Sequence, residues 1–214
     1  MAVITPTILA ETEDEYKATV ERLHPFAKRV HIDLTDGQLA PPFTIGVNKL
    51  WWPQEWIVDI HAMVNNPSQY IPTLIQLKPY SIIMHAEAGE DLPPSITAIK
   101  QAGIKVGIAL LRTTVPSTVQ EYIELADHVL VFSGDLGHYG GTASLMQLEK
   151  VRLVRSIHPE VEIGWDGGAN VENVFSLSQG SVDVINAGSA INKSEDPAAA
   201  YNLMVAEINK HSVI

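Results

Sequence analysis

Short runs of apolar and β-branched residues recur along the whole chain: VITPTIL from Val3, RVHIDL from Arg29, WIVDIHAMV from Trp56, YSIIMHAEA from Tyr80, KVGIALL from Lys105, HVLVF from His128, VEIGWDGG from Val161 and VDVINAGS from Val182. Most are nearly continuous rather than alternating, the pattern of strands in a parallel sheet whose faces are both covered. Amphipathic stretches with polar openings separate them: TEDEYKATVERLHPFA, PSQYIPTLIQL, PPSITAIKQAG, PSTVQEYIELA, SLMQLEKVRLVRSI, NVENVFSLSQG and DPAAAYNLMVAEINK. Several end in the Gly that stops a helix, and ETEDE puts acidic residues in a first helical turn, where they complement the helix dipole. The segment after the second strand, IGVNKLWWPQ, is the weakest helix of the set. Strand and helix alternating eight times, at roughly 25 residues per unit, predict an α/β fold of the (β/α)8 TIM-barrel type, with a doubly wound open sheet as the alternative. At 214 residues the chain is expected to form one domain over 1–214.

Composition narrows the partners. Twenty-five acidic against 14 basic residues give a formal charge of −11, so neither nucleic acid nor an anionic membrane surface is expected to bind. There is no cysteine, which removes disulfides, thiolate metal sites and cysteine nucleophiles. MAVITPTILAETEDEY lacks the basic opening of a signal peptide, and no apolar run reaches the roughly 18 residues of a membrane span. A cytoplasmic protein with no membrane partner is the expectation.

In a barrel, the C-terminal ends of the strands converge on one mouth, and that is where such folds carry their chemistry. Four residues with metal-ligand chemistry pass this test: His31 and Asp33 on the second strand, His61 on the third and Asp166 on the seventh. Residues i and i+2 of a strand face the same way, so His31 and Asp33 share a face. Two imidazoles and two carboxylates suit one divalent ion, zinc, iron(II) or manganese. A single buried His or Asp is usually a hydrogen-bonded core or capping residue, and Asp36, in an Asp-Gly pair, reads as a turn residue. Four at matching strand ends point instead to a site, because two buried unpaired carboxylates would cost several kcal/mol that a cation offsets.

Glycine marks the later loops: HYGG at His138 to Gly141, DGGAN at Asp166 to Asn170 and AGSA at Ala187 to Ala190. Backbone amides of such loops cradle phosphate, and the last loops of a barrel are the usual place for it.

These segments together resemble one family. HIDLTDGQLAPPFTIG is similar to the H-x-D-x-M-D-G-x-F-V-P-N-x-T-x-G signature of ribulose-phosphate 3-epimerases, and DIHAMVNNPSQYI to their D-x-H-L-M-V…P-x-x-Y-I segment. The likeness continues in order through MHAEA, KVGIALLRTTVP, the HYGG loop, DGGAN and AGSAI. It implies a ribulose-phosphate-binding barrel and a metal-dependent epimerase inverting the carbon beside the ketone of a ketopentose 5-phosphate. The implied metal ligands fall on His31, Asp33, His61 and Asp166, the four already selected, and the implied acid/base pair on Asp33 and Asp166. Substrate contacts are implied for Thr7, His61 and Met63, and a phosphate grip for Gly140, Gly141, Gly167, Gly168, Gly188 and Ser189. The family also implies a homo-oligomer.

The chain departs from the family pattern in places. Of three methionines expected around the reacting carbon only Met63 is present, with Thr35 and Phe132 at the other two positions; Pro42 and Arg112 replace an Asn and a Pro. The sixth loop, FSGDLGHYGGTA, is longer by one residue than the family's M-T-V-N-P-G-F-G-G-Q. These changes keep open a 3-epimerase of another ketose phosphate, such as a ketohexose 6-phosphate, and a non-catalytic phosphosugar-binding barrel. His85 matches a family position with no role that follows from sequence, and the WWP cluster at Trp51 reads as packing.

Overall fold

The structure is a computed structural model that describes residues 2–138 and 140–210. Eight strands, β1 (Val3–Ile8), β2 (Arg29–Thr35), β3 (Ile57–Met63), β4 (Ser81–His85), β5 (Lys105–Leu110), β6 (His128–Phe132), β7 (Glu162–Asp166) and β8 (Val184–Ala187), are joined in sequence order, and β8 pairs in parallel with β1 to close a barrel. Closure excludes the open-sheet alternative. Around the barrel lie α1 (Glu13–Leu23), α2 (Ile71–Leu77), α3 (Pro93–Gln101), α4 (Gln120–Leu125), α5 (Leu148–Ile157), α6 (Val174–Gln179), α7 (Ser189–Asn192) and α8 (Pro197–Asn209).

Local chemistry explains the elements. α1 opens on a reciprocal cap, in which the Glu15 N–H donates to Thr12 Oγ1 at 3.2 Å and the Thr12 N–H to the Glu15 carboxylate at 3.3 Å. Its buried Tyr16, Val20 and Leu23 repeat at helical spacing and meet the barrel wall. IGVNKLWWPQ forms only a single 3-10 turn, Val47–Lys49, because Pro53 steers the residue before it away from helical geometry and the Tyr16 hydroxyl holds the Trp51 carbonyl in extended chain at 2.7 Å. The short α7 after β8 is an element the hydrophobic pattern did not predict; four residues are too few to show a period.

Strand parity divides the barrel into two interiors. Val30, Ile32 and Leu34, Val58, Ile60 and Ala62, Ile163 and Trp165 face outward into the core shared with the helices. Their alternates face inward and are largely polar. At the N-terminal end Arg29 donates to Asp59 at 2.6 Å and to Glu162 at 2.7 Å, Ser81 donates to Asp59 at 2.6 Å, and His128 Nδ1 lies 2.8 Å from Glu162. Above this network Ile83, Ala109 and Leu130 form a small apolar plug. Each fully buried Ile or Leu of that layer contributes about 1.5–3 kcal/mol and separates the lower network from the mouth. The remaining inward positions, at the C-terminal ends, make the site.

Candidate active site at the C-terminal mouth

His31, Asp33, His61 and Asp166 meet at the mouth, each offering one ligand atom, with all four atoms within 4.8 Å of one another. Register brings them together: Asp33 pairs with His61 across β2 and β3, and β7 presents Asp166 from the other side of β8 and β1. His31 Nε2 lies 3.3 Å from Asp33 and 3.5 Å from Asp166, and His61 Nδ1 lies 3.1 and 3.6 Å from the same carboxylates. His31 is fully buried, yet neither of its ring nitrogens has a partner in hydrogen-bond alignment. Among the described residues no Lys or Arg reaches Asp33 or Asp166. Two buried carboxylates and two convergent imidazoles, with His61 Nδ1 in hydrogen-bond contact with Asp33 and His31 Nε2 aimed at both carboxylates without a bond in alignment, fit a divalent cation well.

The electrostatics agree with a demand for positive charge. Burial works against a charged His31, but the Asp166 and Asp33 carboxylates close to its Nε2 outweigh it and push the imidazole up to about 10. Burial likewise opposes ionisation of Asp166, and the two histidines overcome it, holding that carboxyl well below the usual range. The carboxylates thus favour positive charge at His31, and a proton and a divalent cation would compete for the same place.

A second layer orients His61. Its Nε2 lies 2.9 Å from His85 Nε2, and His85 Nδ1 lies 3.1 Å from Glu87. With a cation held on His61 Nδ1, the remaining ring proton sits on Nε2 and donates to His85, and His85 Nδ1–H in turn donates to Glu87. Burial lowers the His85 pKa, which keeps the ring neutral as that chain requires. Burial tends to raise the Glu87 carboxyl, but hydrogen bonds from His85, Thr114 and the Leu111 N–H prevail and hold it below the ordinary range. Asp36, by contrast, accepts from the N–H groups of Gln38, Leu39 and Asn65 at 2.8, 3.1 and 2.7 Å, and so holds its loop.

Above the cluster a cavity of about 440 Å³, counted with its open side, is lined by Thr7, Asp33, Met63, Asp166, Gly140, Gly167, Gly168, Gly188 and Ser189 of the expected residues. His31 and His61 sit behind the carboxylates, and Gly141 lies off the cavity near the Gly134 and Asp135 backbone. Tyr139 of the HYGG segment lies outside the described residues. The wall also contains Phe132, which stands at the position of an expected methionine, His138 and Ala169 of the glycine segments, and Gly134, Asp135, Gly137 and Asn186, which sequence reasoning did not single out. Asn186 was the most legible of these, as a lone amide at an inward position of the VDVINAGS strand.

Loop contacts shape the opening. A side chain at Gly137 would collide with the Pro41 carbonyl, so the loop after β6 rests on the loop after β2. Gly167, at φ +105°, is pressed against the Gly134 backbone, which joins the loops after β6 and β7. No helix of the described residues is long and apolar enough to cross a membrane.

Comparisons with known proteins point to one family. The description "Ribulose-phosphate 3 epimerase family" matches residues 3–192. A ribulose-phosphate 3-epimerase of Mycobacterium leprae is 31% identical over 207 residues, covering 92% of this chain and 91% of that protein. One of Helicobacter pylori is 33% identical over 175 residues, covering 78% and 80%. Among solved structures, 3-hexulose-6-phosphate synthase from Salmonella typhimurium superposes with a TM-score of 0.74 at 17% identity, covering 97% of this chain and 99% of that one, which is a likeness of fold.

Proposed function

This chain belongs to the ribulose-phosphate 3 epimerase family, isomerases by their activity, and from that premise we propose that it interconverts D-ribulose 5-phosphate and D-xylulose 5-phosphate by proton transfer at C3. The single observation that carries the assignment is the pair of carboxylates, Asp33 and Asp166, both facing one cavity and both backed by the same two buried imidazoles.

Inversion at a carbon beside a ketone requires a group that removes the proton from one face and another that delivers one to the opposite face. A lone base would mostly return the proton to the side it came from. Asp33 and Asp166, carried on strands separated by β8 and β1, take these two roles and exchange them with the direction of reaction. His31, Asp33, His61 and Asp166 would hold the divalent ion, which when bound supplies the positive charge that stabilises an enediolate at neutral pH. His31 and His61 fix the carboxylates from behind, and the His85–Glu87 pair keeps the His61 ring in one tautomer. Thr7 and Met63 line the reacting end of the cavity, and backbone N–H groups of the glycine loops after β6, β7 and β8 receive the phosphate.

A second reading, a ketohexose 6-phosphate as substrate, is favoured by one feature. The loop after β6 contributes Gly134, Asp135, Gly137, His138 and Gly140 to the cavity wall, and it is the segment that departs most from the family pattern. Incubation of the metal-replete protein in D2O with ribulose 5-phosphate is expected to produce xylulose 5-phosphate carrying deuterium at C3. Dialysis against a chelator should abolish this and divalent metal should restore it. A ketohexose phosphate processed with the higher kcat/KM in the same assay would move the assignment to the second substrate, and neither reacting would remove the epimerase assignment.

A further inference from the structure

We infer that Asn186 reads a substrate hydroxyl lying between the reacting carbon and the phosphate, and so helps determine which sugar phosphate the site accepts; this rests on the epimerase reading above. Asn186 is 2% exposed and lines the same cavity as Asp33 and Asp166. Its neighbours on β8, Ile185 and Ala187, belong to the outer core, so parity turns the Asn186 side chain into the barrel. Both amide atoms, Nδ2 and Oδ1, lack any protein hydrogen-bond partner. A buried primary amide with neither donor nor acceptor engaged costs about 1–3 kcal/mol for each unmet group, so a strand otherwise apolar here would not carry one for packing alone.

Position identifies the ligand chemistry. Register pairs Trp165 with Ile185, so one step further along the strands Asn186 sits beside Asp166, one of the two proposed acid/base groups. Two residues further on, Gly188 and Ser189 belong to the proposed phosphate grip. On β1 its register partner is Thr5, whose hydroxyl also lacks a protein partner but does not line the cavity. A group lying between a reacting C3 and a phosphate on C5 is the C4 hydroxyl. A hydroxyl donates one hydrogen bond and accepts others, which matches an amide that offers both functions.

The test compares the metal-loaded wild type with Asn186→Leu, equal in side-chain heavy atoms and branching but unable to hydrogen-bond, on ribulose 5-phosphate and its 4-deoxy analogue. The wild type is expected to favour the hydroxylated sugar by roughly 10- to 100-fold in kcat/KM, and Asn186→Leu to lose that factor on the hydroxylated sugar alone. Metal content should be unchanged and Tm equal or higher, since two unmet polar atoms have been removed. Asn186→Ala provides the same comparison should the leucine not fit. Equal losses on both sugars, or kcat/KM on ribulose 5-phosphate within twofold of wild type, would overturn the inference. Calorimetric binding of the same two ligands separates this inference from the reading beneath it. Collapsed discrimination without turnover supports the role of Asn186 and counts against epimerisation, whereas turnover with discrimination intact does the reverse.

Discussion

Replacing His85 by Leu removes the acceptor from the buried His61 Nε2–H, 2.9 Å away, while leaving in place every side chain proposed to touch the cation or the sugar. Glu87 is not orphaned by the change, because the Leu111 N–H at 2.9 Å and the Thr114 hydroxyl still bind it. The loss therefore concentrates on His61, whose donor is left unpaired in the barrel interior, a cost of about 1–3 kcal/mol. Cation binding fixes His61 with Nδ1 inward and Nε2–H outward, so the penalty falls on the bound state, and divalent metal affinity should drop roughly 10- to 100-fold. Titration of zinc or manganese against a chromophoric chelator reads this directly, with Tm of the cation-free protein as the check on folding. Glu87→Gln should lie between wild type and His85→Leu, because an amide still accepts from His85 Nδ1–H but without charge. Metal affinity unchanged in a folded His85→Leu protein would refute the orienting chain.

The lower network makes its own predictions. Arg29→Leu strips the cation from Asp59 and Glu162, leaving Asp59 only the Ser81 hydroxyl, and should cost about 3–5 kcal/mol, or roughly 6–20 °C in Tm. Loss of less than about 1 kcal/mol in urea titration would mean the pair is not a structural requirement. Glu162 is half-buried, which alone would raise its carboxyl, but Arg29 and His128 hold it well below the usual range. A carboxyl depressed in the folded state stabilises above its unfolded pKa and loses that stabilisation as pH falls toward the folded value. Glu162→Gln should therefore lie about 3 kcal/mol below wild type at pH 7, the low end for a broken pair because the side chain is 26% exposed, and the gap should narrow below about pH 5. A gap constant from pH 7 to pH 3 would contradict the assignment.

The strands were legible because buried strands in a closed parallel barrel are apolar for nearly their whole length, and the helices because a one-sided face repeats at 3.6 residues. Parity made His31 and Asp33 readable as one face, glycine pairs marked the later loops, and the family resemblance joined the two into one site. What escaped was what depends on residues distant in sequence. The approach of His61 to His85 arises from the register of β3 and β4, and the inward face of β8 carries Asn186 amid residues that read as plain core. α7 and the contact of Gly137 with Pro41 depend on loop geometry that carries no period. The polar network beneath Ile83, Ala109 and Leu130 was likewise hidden, because Arg29, Asp59, Ser81, His128 and Glu162 come from five segments and meet only once the barrel closes.

Two carboxylates serving opposite faces of one carbon make a demand that a single-base enzyme does not. Asp33→Asn and Asp166→Asn, each with metal content verified, are to be incubated in D2O with ribulose 5-phosphate and, separately, with xylulose 5-phosphate, and C3 deuterium followed by NMR. Both variants are expected to lose net epimerisation, and each to exchange the C3 hydrogen of one sugar still, the sugar differing between the two variants. Wild-type epimerisation in either variant, or exchange of both sugars by both, would contradict the two-carboxylate assignment.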